Sequence, residues 1–63
     1  MITNGLEEAF RSYLSGKYNY HKMNFQIMLA NPRPIPEHTD VMEGLEKELA
    51  KAAYYKELLE ELK

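Results

Sequence analysis

The sequence contains no cysteine among its 63 residues, which excludes disulfide bonds and thiolate-ligated metal sites. Long apolar runs are also missing: the longest, residues 27–30, is far shorter than the roughly 20 residues of a membrane-spanning helix. The first residues lack the apolar segment of a signal peptide, and no phosphate-binding glycine motif is present. These absences predict a soluble intracellular protein that does not bind a membrane.

A chain of this length is difficult to stabilise alone. It forms one domain, which buries only about 60% of its unfolded surface, and ordering costs roughly 1.5 kcal/mol per residue. The apolar fraction of 44%, with five tyrosines and two phenylalanines, nevertheless indicates a folded protein. Since disulfides are excluded, a partner subunit is the stabilising element that remains, and we predict a homodimer.

The first segment predicts a short helix over residues 5–15. Asn4 suits the N-cap position, and Gly16 stands where a left-handed residue would end the helix. One stripe of helical spacing contains the apolar residues Leu6, Ala9, Phe10, Tyr13 and Leu14.

The stretch MNFQIMLA predicts a strand over residues 23–30. Met23, Phe25, Ile27 and Leu29 alternate with Asn24, Gln26, Met28 and Ala30, as in a strand with two different faces. Three prolines follow, so residues 31–36 are expected to be an extended connector.

The last segment predicts a long helix over residues 37–62. Glu48 falls on the edge of its apolar face, and Tyr54 and Leu58 lie about opposite that face, where they indicate a second contact surface. The apolar face contains Val41, Met42, Leu45, Leu49, Ala52, Ala53, Tyr55, Leu59 and Leu62.

A lone strand and a short first helix leave unpaired backbone groups and an uncovered apolar face. We therefore predict a mainly α fold: a helix–strand–helix protomer in an intertwined homodimer, with an intermolecular antiparallel two-stranded ribbon. Its dimer interface would contain Met23, Phe25, Ile27, Leu29, Leu45, Leu49, Ala52 and Leu59. The alternative is a monomer in which residues 18–30 form further helix or pack irregularly, with Tyr20, Met23 and Ile27 at apolar spacing.

The surplus of aromatic and methionine residues favours a protein-binding function, because such residues are enriched at interfaces. We expect an apolar cleft of the dimer that receives an amphipathic helix, lined by Phe10, Tyr13, Leu14, Tyr54, Tyr55 and Leu58. Neither a catalytic constellation nor metal-ligand spacing is recognisable: His21, Glu37, His38 and Asp40 lack it. We predict no enzymatic activity, no cofactor and no metal.

A second function remains open, a DNA-binding regulator that reads the major groove with a paired ribbon. Lys22, Asn24 and Gln26 would share the outward face of the strand. The net charge of −2 disfavours this DNA-binding function, because DNA affinity depends largely on neutralising phosphates with positive charge.

The order of three segments, GLEEAFRSYLSGKYNY, NFQIMLANPRPIPEHTD and LEKELAKAAYYKELLEEL, resembles that of a phage family. The sequence is similar to the short early proteins encoded between exo and xis in lambda-like and Shiga-toxin phages. The resemblance covers nearly the whole chain. It implies a dimer with two helices and one strand per chain, and an early protein of the host cytoplasm that promotes lytic development. It supplies no catalytic residues. We expect a host or phage protein as the partner.

Overall fold

The computed structural model describes residues 5–30 and 38–63, with side chains for all of these except residues 38 and 39. Helix α1 spans Gly5–Ala30 and helix α2 spans His38–Glu61. The helices run antiparallel as a hairpin, since the start of α1 contacts the end of α2. The predicted N-cap Asn4 and the proline-rich connector, residues 31–36, lie outside the described residues.

The predicted strand over residues 23–30 is wrong, because α1 continues unbroken from Gly5 to Ala30. Within the two described ranges no strand occurs, so the helix–strand–helix protomer and its intermolecular ribbon are wrong as well. Gly16 does not end a helix over residues 5–15. The left-handed conformation of a helix-ending glycine is absent from every described glycine.

The physical reason for the long first helix is a second apolar period that overrides the alternation. The inward residues of α1 recur every three or four positions, and those of α2 do the same, as in an antiparallel coiled coil. We call this contact the seam, and each of its residues is buried or half-buried. Its members are Leu14, Tyr18, His21, Phe25 and Met28 in α1, and Val41, Leu45, Glu48, Ala52, Tyr55, Leu59 and Leu62 in α2.

The lengths of the two helices explain why the intermolecular ribbon is not needed to cover α2. Helix α1 has 26 residues and α2 has 24, so each is close to 40 Å long at about 1.5 Å per residue. A first helix of residues 5–15 would have left half of α2 uncovered. The observed α1 follows α2 along the whole seam.

Two glycines lie inside the helices, where each lowers helix stability by about 1 kcal/mol relative to alanine. Gly44 has a packing reason: a Cβ atom there would lie 2.7 Å from the terminal methyl of Met28 on the facing helix. Gly16 has none within the chain, because a Cβ atom there would meet nothing within 4 Å. A side chain at position 44 would therefore crowd the facing helix, whereas a side chain at position 16 would not touch the rest of the chain.

Arg11 joins the beginning of α1 to the end of α2. Its Nη2 atom donates to the Leu62 carbonyl at 3.3 Å and to Glu7 Oε2, one helical turn earlier, at 3.2 Å. The last carbonyls of a helix have no partner within that helix. The guanidinium group satisfies one of them and places positive charge at the negative end of the α2 dipole.

The hairpin is slender, with extents of 56 × 15 × 12 Å. Its radius of gyration is 15.4 Å, whereas a compact domain of this length has about 11 Å. Among the described residues, only Leu14, Ala52 and His21 are buried. Neither α1 nor α2 combines the length and the apolar character of a helix that could cross a membrane. Each helix thus has one face in the seam and leaves its other faces open.

Candidate functional site

A polar cluster occupies the middle of the seam. His21 Nδ1 donates to Glu48 Oε1 at 2.7 Å, and Asn24 Nδ2 donates to the same oxygen at 3.3 Å. The His21 ring stacks on Tyr55, with centroids 5.8 Å apart and an interplanar angle of 3°, while Tyr20 meets it edge-on at 4.9 Å. The imidazole is therefore enclosed between two tyrosines and held by one carboxylate.

The electrostatics of this cluster favour an ionised glutamate. The hydrogen bond from His21 is the main cause that lowers the pKa of Glu48 below its ordinary value, and Asn24 adds to it against an opposing desolvation. The carboxylate is thus charged at neutral pH and shared by two donors. The carboxylate accepts both hydrogen bonds and so fixes the orientation of the imidazole and of the Asn24 amide.

One side of the hairpin carries most of the exposed aromatic rings. In an antiparallel pair, the residues directly before seam positions lie on the same side in both helices. Tyr13 of α1 and Tyr54 and Leu58 of α2 are such residues, and Phe10 stacks on Tyr13. We call the surface formed by these four residues the aromatic side. Phe10, Tyr13 and Tyr54 are 46%, 56% and 56% exposed.

Lysines also occupy this side. Lys17 Nζ lies 5.7 Å from the centroid of the Tyr55 ring, a cation–π distance, and Tyr54 meets Tyr55 edge-on at 5.0 Å. Lys47 and Lys51 precede seam residues in α2 and therefore belong to the same side, as do Asp40 and Glu61 at its two ends. The middle of the aromatic side thus offers apolar surface with positive charge beside it.

The opposite side of the hairpin has a shallow groove of about 200 Å³. It is smaller than a typical small-molecule pocket of roughly 300–1,000 Å³. It is lined by Tyr18, Lys22, Leu49, Ala52, Ala53 and Lys56. The two lysines give the groove positive charge, but its size does not favour a small-molecule site.

A third surface lies on α1 alone and is turned away from the seam. It overlaps the aromatic side at Tyr13, Tyr20 and Ile27, which directly precede seam residues. Its positions again recur every three or four residues, so they form a continuous helical stripe. We call it the outer stripe, and each of its large side chains is at least 53% exposed. Its members are Leu6, Ala9, Tyr13, Gly16, Tyr20, Met23, Ile27 and Ala30.

The residues predicted for a partner cleft divide between the surface and the seam. Phe10, Tyr13 and Tyr54 are exposed on the aromatic side, and Leu58 is half-buried there. Leu14 is 1% exposed inside the seam, so no partner can reach it. Tyr55 is half-buried between His21 and Lys17. Four of the predicted residues therefore share one accessible side.

The residues predicted for a dimer interface divide in the same way. Phe25, Leu45, Ala52 and Leu59 lie in the seam, so the chain itself covers them. Met23, Ile27, Leu29 and Leu49 are exposed, with Met23 and Ile27 on the outer stripe. The ribbon that was to pair two strands of different chains is replaced by contact between α1 and α2.

The predicted DNA-reading ribbon is wrong, because the strand that was to form it is part of helix α1. On a helix, Lys22, Asn24 and Gln26 do not share a face, because positions two apart are separated by about 200°. Asn24 is also turned into the seam, where it donates to Glu48. Among the described residues, no cluster of three or more histidine or acidic side chains is arranged to hold a metal ion.

Sequence reasoning missed the contact between His21 and Glu48. A usable signal was present in α1, because His21 falls at helical spacing from Leu14 and Phe25. A signal was also present in α2, where Glu48 lies at the edge of an apolar face. Only the antiparallel pairing of the helices brings the two side chains together.

No protein-family model, curated protein or solved structure matches this chain. The similarity to short early phage proteins consequently stays a prediction from the sequence.

Proposed function

We propose that this chain is a non-enzymatic binding protein that receives an amphipathic helix of another protein on its aromatic side. The observation that carries the proposal is the exposure of Phe10, Tyr13 and Tyr54 together on one side of a two-helix hairpin. Aromatic side chains supply large contact area and are common among the residues that dominate binding energy.

The charges near this side define the chemistry of the partner. Lys17 and Lys51 lie beside the aromatic rings, so a helix with acidic residues flanking its apolar stripe is favoured. The resemblance to early phage proteins extends the proposal to a biological setting. In that setting the partner is a host or phage protein, and binding promotes lytic development.

The polar cluster of the seam supports a non-enzymatic function. His21 and Glu48 pair with each other, and the imidazole lies between tyrosine rings. The groups best suited to proton transfer are thus engaged within the seam instead of lining an open pocket.

The test uses a photo-cross-linking amino acid at position 54, with position 49 on the opposite side as the matched control. We expect a partner that cross-links from position 54 and not from position 49. With the purified partner, Phe10→Ala and Tyr54→Ala should each weaken the binding free energy by about 2 kcal/mol or more, which raises Kd roughly thirtyfold. Leu49→Ala, which removes a comparably exposed side chain, should leave Kd unchanged.

All three substituted residues are exposed, so the hairpin should stay folded, as circular dichroism would verify. A partner whose affinity falls with Leu49→Ala and is insensitive to Phe10→Ala and Tyr54→Ala would overturn the proposal.

A further inference from the structure

The groove opposite the aromatic side combines apolar surface with two lysines. Ala52, which is 1% exposed, lines the groove from the seam, and the Tyr18 ring and the Leu49 side chain add further apolar surface. Lys22 reaches the groove from α1, and Lys56 reaches it from α2. Each helix thus contributes one positive charge to the same small apolar surface.

The charges of these two lysines are not matched within the described part of the chain. Among its residues, Lys22 and Lys56 form no ion pair, whereas Arg11 is paired with Glu7. The Lys22 Nζ atom lies 5.7 Å from the centroid of the Tyr18 ring, which also lines the groove. A lysine ammonium has three N–H donors, and a contact with a ring face leaves donors available to an oxygen acceptor. The groove therefore favours an occupant that carries negative charge.

Two glutamates limit the length of such an anion. Glu46 and Glu60 each directly follow a seam residue, so they lie on the same side of the hairpin as the groove. The residues of α2 that line the groove lie between them, at positions 49–56. A long polyanion such as a nucleic acid strand would meet both carboxylates and be repelled. A short anion that stays between them is favoured.

The volume of the groove limits its occupant to about one side chain. An apolar cavity of about 150 Å³ holds a benzene ring, so a groove of about 200 Å³ accepts a ring or a branched alkyl group with a small polar group attached. Aspartate and glutamate carry charge without an apolar body, and an apolar residue inside a chain carries no charge. An apolar residue at the end of a polypeptide has both, because it adds an α-carboxylate to its side chain.

We propose that the groove binds the C-terminal residue of a partner polypeptide, an apolar residue such as phenylalanine or leucine. Its side chain packs on Leu49, Ala52 and Ala53. Its carboxylate accepts hydrogen bonds from Lys22 and Lys56. Capture of a C-terminal carboxylate is a known mode of peptide recognition.

A free carboxylic acid of similar size has the same chemistry, but the groove favours a polypeptide. The groove is shallow and smaller than a typical small-molecule site, so it encloses little of a free acid. A polypeptide makes additional contacts beyond the groove. This site is separate from the aromatic side and does not depend on the function proposed there.

The first experiment titrates the chain with the peptide acetyl-Gly-Gly-Phe, which has a free C-terminal carboxylate, and follows methyl signals of the chain by NMR. The methyl groups of Leu49 and Ala53 should shift, whereas those of Leu6 and Ala9 on the outer stripe should not. The same peptide with a C-terminal amide should bind at least about tenfold more weakly, because it lacks the charge. Acetyl-Gly-Gly-Ala should also bind more weakly, because it buries less apolar surface.

Two sets of variants test the groove itself. Lys22→Gln and Lys56→Gln should each raise the Kd for acetyl-Gly-Gly-Phe about fivefold or more, whereas Lys51→Gln, on the aromatic side, should leave it unchanged. Ala53→Gln places a longer side chain in the groove and should abolish binding. Ala50→Gln makes the same addition at an exposed position outside the groove and should not. Glutamine is a good helix former, so all variants should stay folded, as circular dichroism would verify.

Equal affinity for the acid and the amide peptide would overturn the proposal, as would affinity indifferent to Lys22→Gln, Lys56→Gln and Ala53→Gln. Absence of binding at millimolar peptide would overturn it as well. The free acid 3-phenylpropionate is the remaining comparison: if it binds as tightly as the peptide, the occupant is a small carboxylate and not a polypeptide. A partner held in the groove would cross-link from position 49 and not from position 54. Failure of this site would therefore leave the function proposed for the aromatic side in place.

Discussion

Along α1, the seam and the outer stripe run side by side but carry different side chains. The seam includes His21 and accommodates Glu48 of α2, whereas the outer stripe is free of charge. The chain covers the more polar of the two surfaces and leaves the more apolar one open. The comparison teaches that the face a helix buries within its own chain is decided by the partner helix, and apolar content alone does not identify it.

The largest expected effect is on the free energy of unfolding, and it comes from replacing one leucine by alanine in the seam and one in the outer stripe. Leu14 is 1% exposed and Leu6 is 80% exposed. Leu14→Ala should lower the free energy of unfolding by about 2–4 kcal/mol, because it leaves a cavity in the seam. Leu6→Ala should change it by less than about 0.5 kcal/mol at concentrations where the chain is monomeric. Urea unfolding followed by circular dichroism measures both. Equal losses would contradict the division into seam and open stripe.

A smaller effect distinguishes the two helical glycines. Gly16→Ala should stabilise the monomeric hairpin by about 1 kcal/mol, since the helix gains propensity and the new methyl group meets nothing. Gly44→Ala should raise stability less, because its methyl group would lie 2.7 Å from the terminal methyl of Met28 and must push it aside. Thermal unfolding at low concentration gives the comparison. A larger gain at position 44 would mean that the Met28 contact is unimportant.

The smallest effect concerns pH and the polar cluster. The pKa of Glu48 is lowered, chiefly by the hydrogen bond from His21. The ionised Glu48 side chain therefore contributes its full stabilisation when the pH is above the ordinary glutamate pKa of 4.5. This contribution is lost as the pH falls through the lowered pKa. The effect is small because the Glu48 side chain remains 23% exposed.

Urea titrations at several pH values test this dependence. The difference in stability between the unmodified chain and Glu48→Gln should shrink below pH 4.5. Glu46→Gln, at an exposed position of the same helix, is the matched control and should show little difference at any pH. A difference for Glu48→Gln that persists unchanged in acid would show that the hydrogen bond is not responsible.

The sequence alone identifies α2 more readily than α1. Residues 37–62 were predicted to be helical, and α2 spans His38–Glu61. In α1, the run MNFQIMLA has apolar residues on every side, so the same letters satisfy a period of two and a helical period. The monomer alternative, with Tyr20, Met23 and Ile27 at helical spacing, describes the outer stripe correctly but misses the seam beside it. Gly16 was ambiguous because a glycine can end a helix or lie inside one.

The candidate site was only partly accessible to sequence reasoning for a related reason. Phe10 and Tyr54 were identified from the surplus of aromatic residues, and they are exposed. Leu14 and Tyr55 were predicted to line the same cleft. Each follows an exposed aromatic residue by one position, about 100° further around its helix, and therefore lies in the seam. Periodicity fixes such rotations only when the partner helix is known. The contact of His21 with Glu48 depends on pairing across 27 positions, which no local pattern specifies.

The polar cluster also determines how the two helices align along their length. A slip by one heptad would bring Glu48 beside Leu14 or Met28 in place of His21, because these residues lie seven positions away on the same face. Tyr18 and Phe25 of α1 lie seven positions apart and are both large aromatic residues, so their layers would change little in that slip. The carboxylate would lose its imidazole donor and face an alkyl or thioether side chain instead. The hydrogen bonds to Glu48 thereby favour the observed alignment of a repetitive hairpin, because a slip of one heptad in either direction would break them.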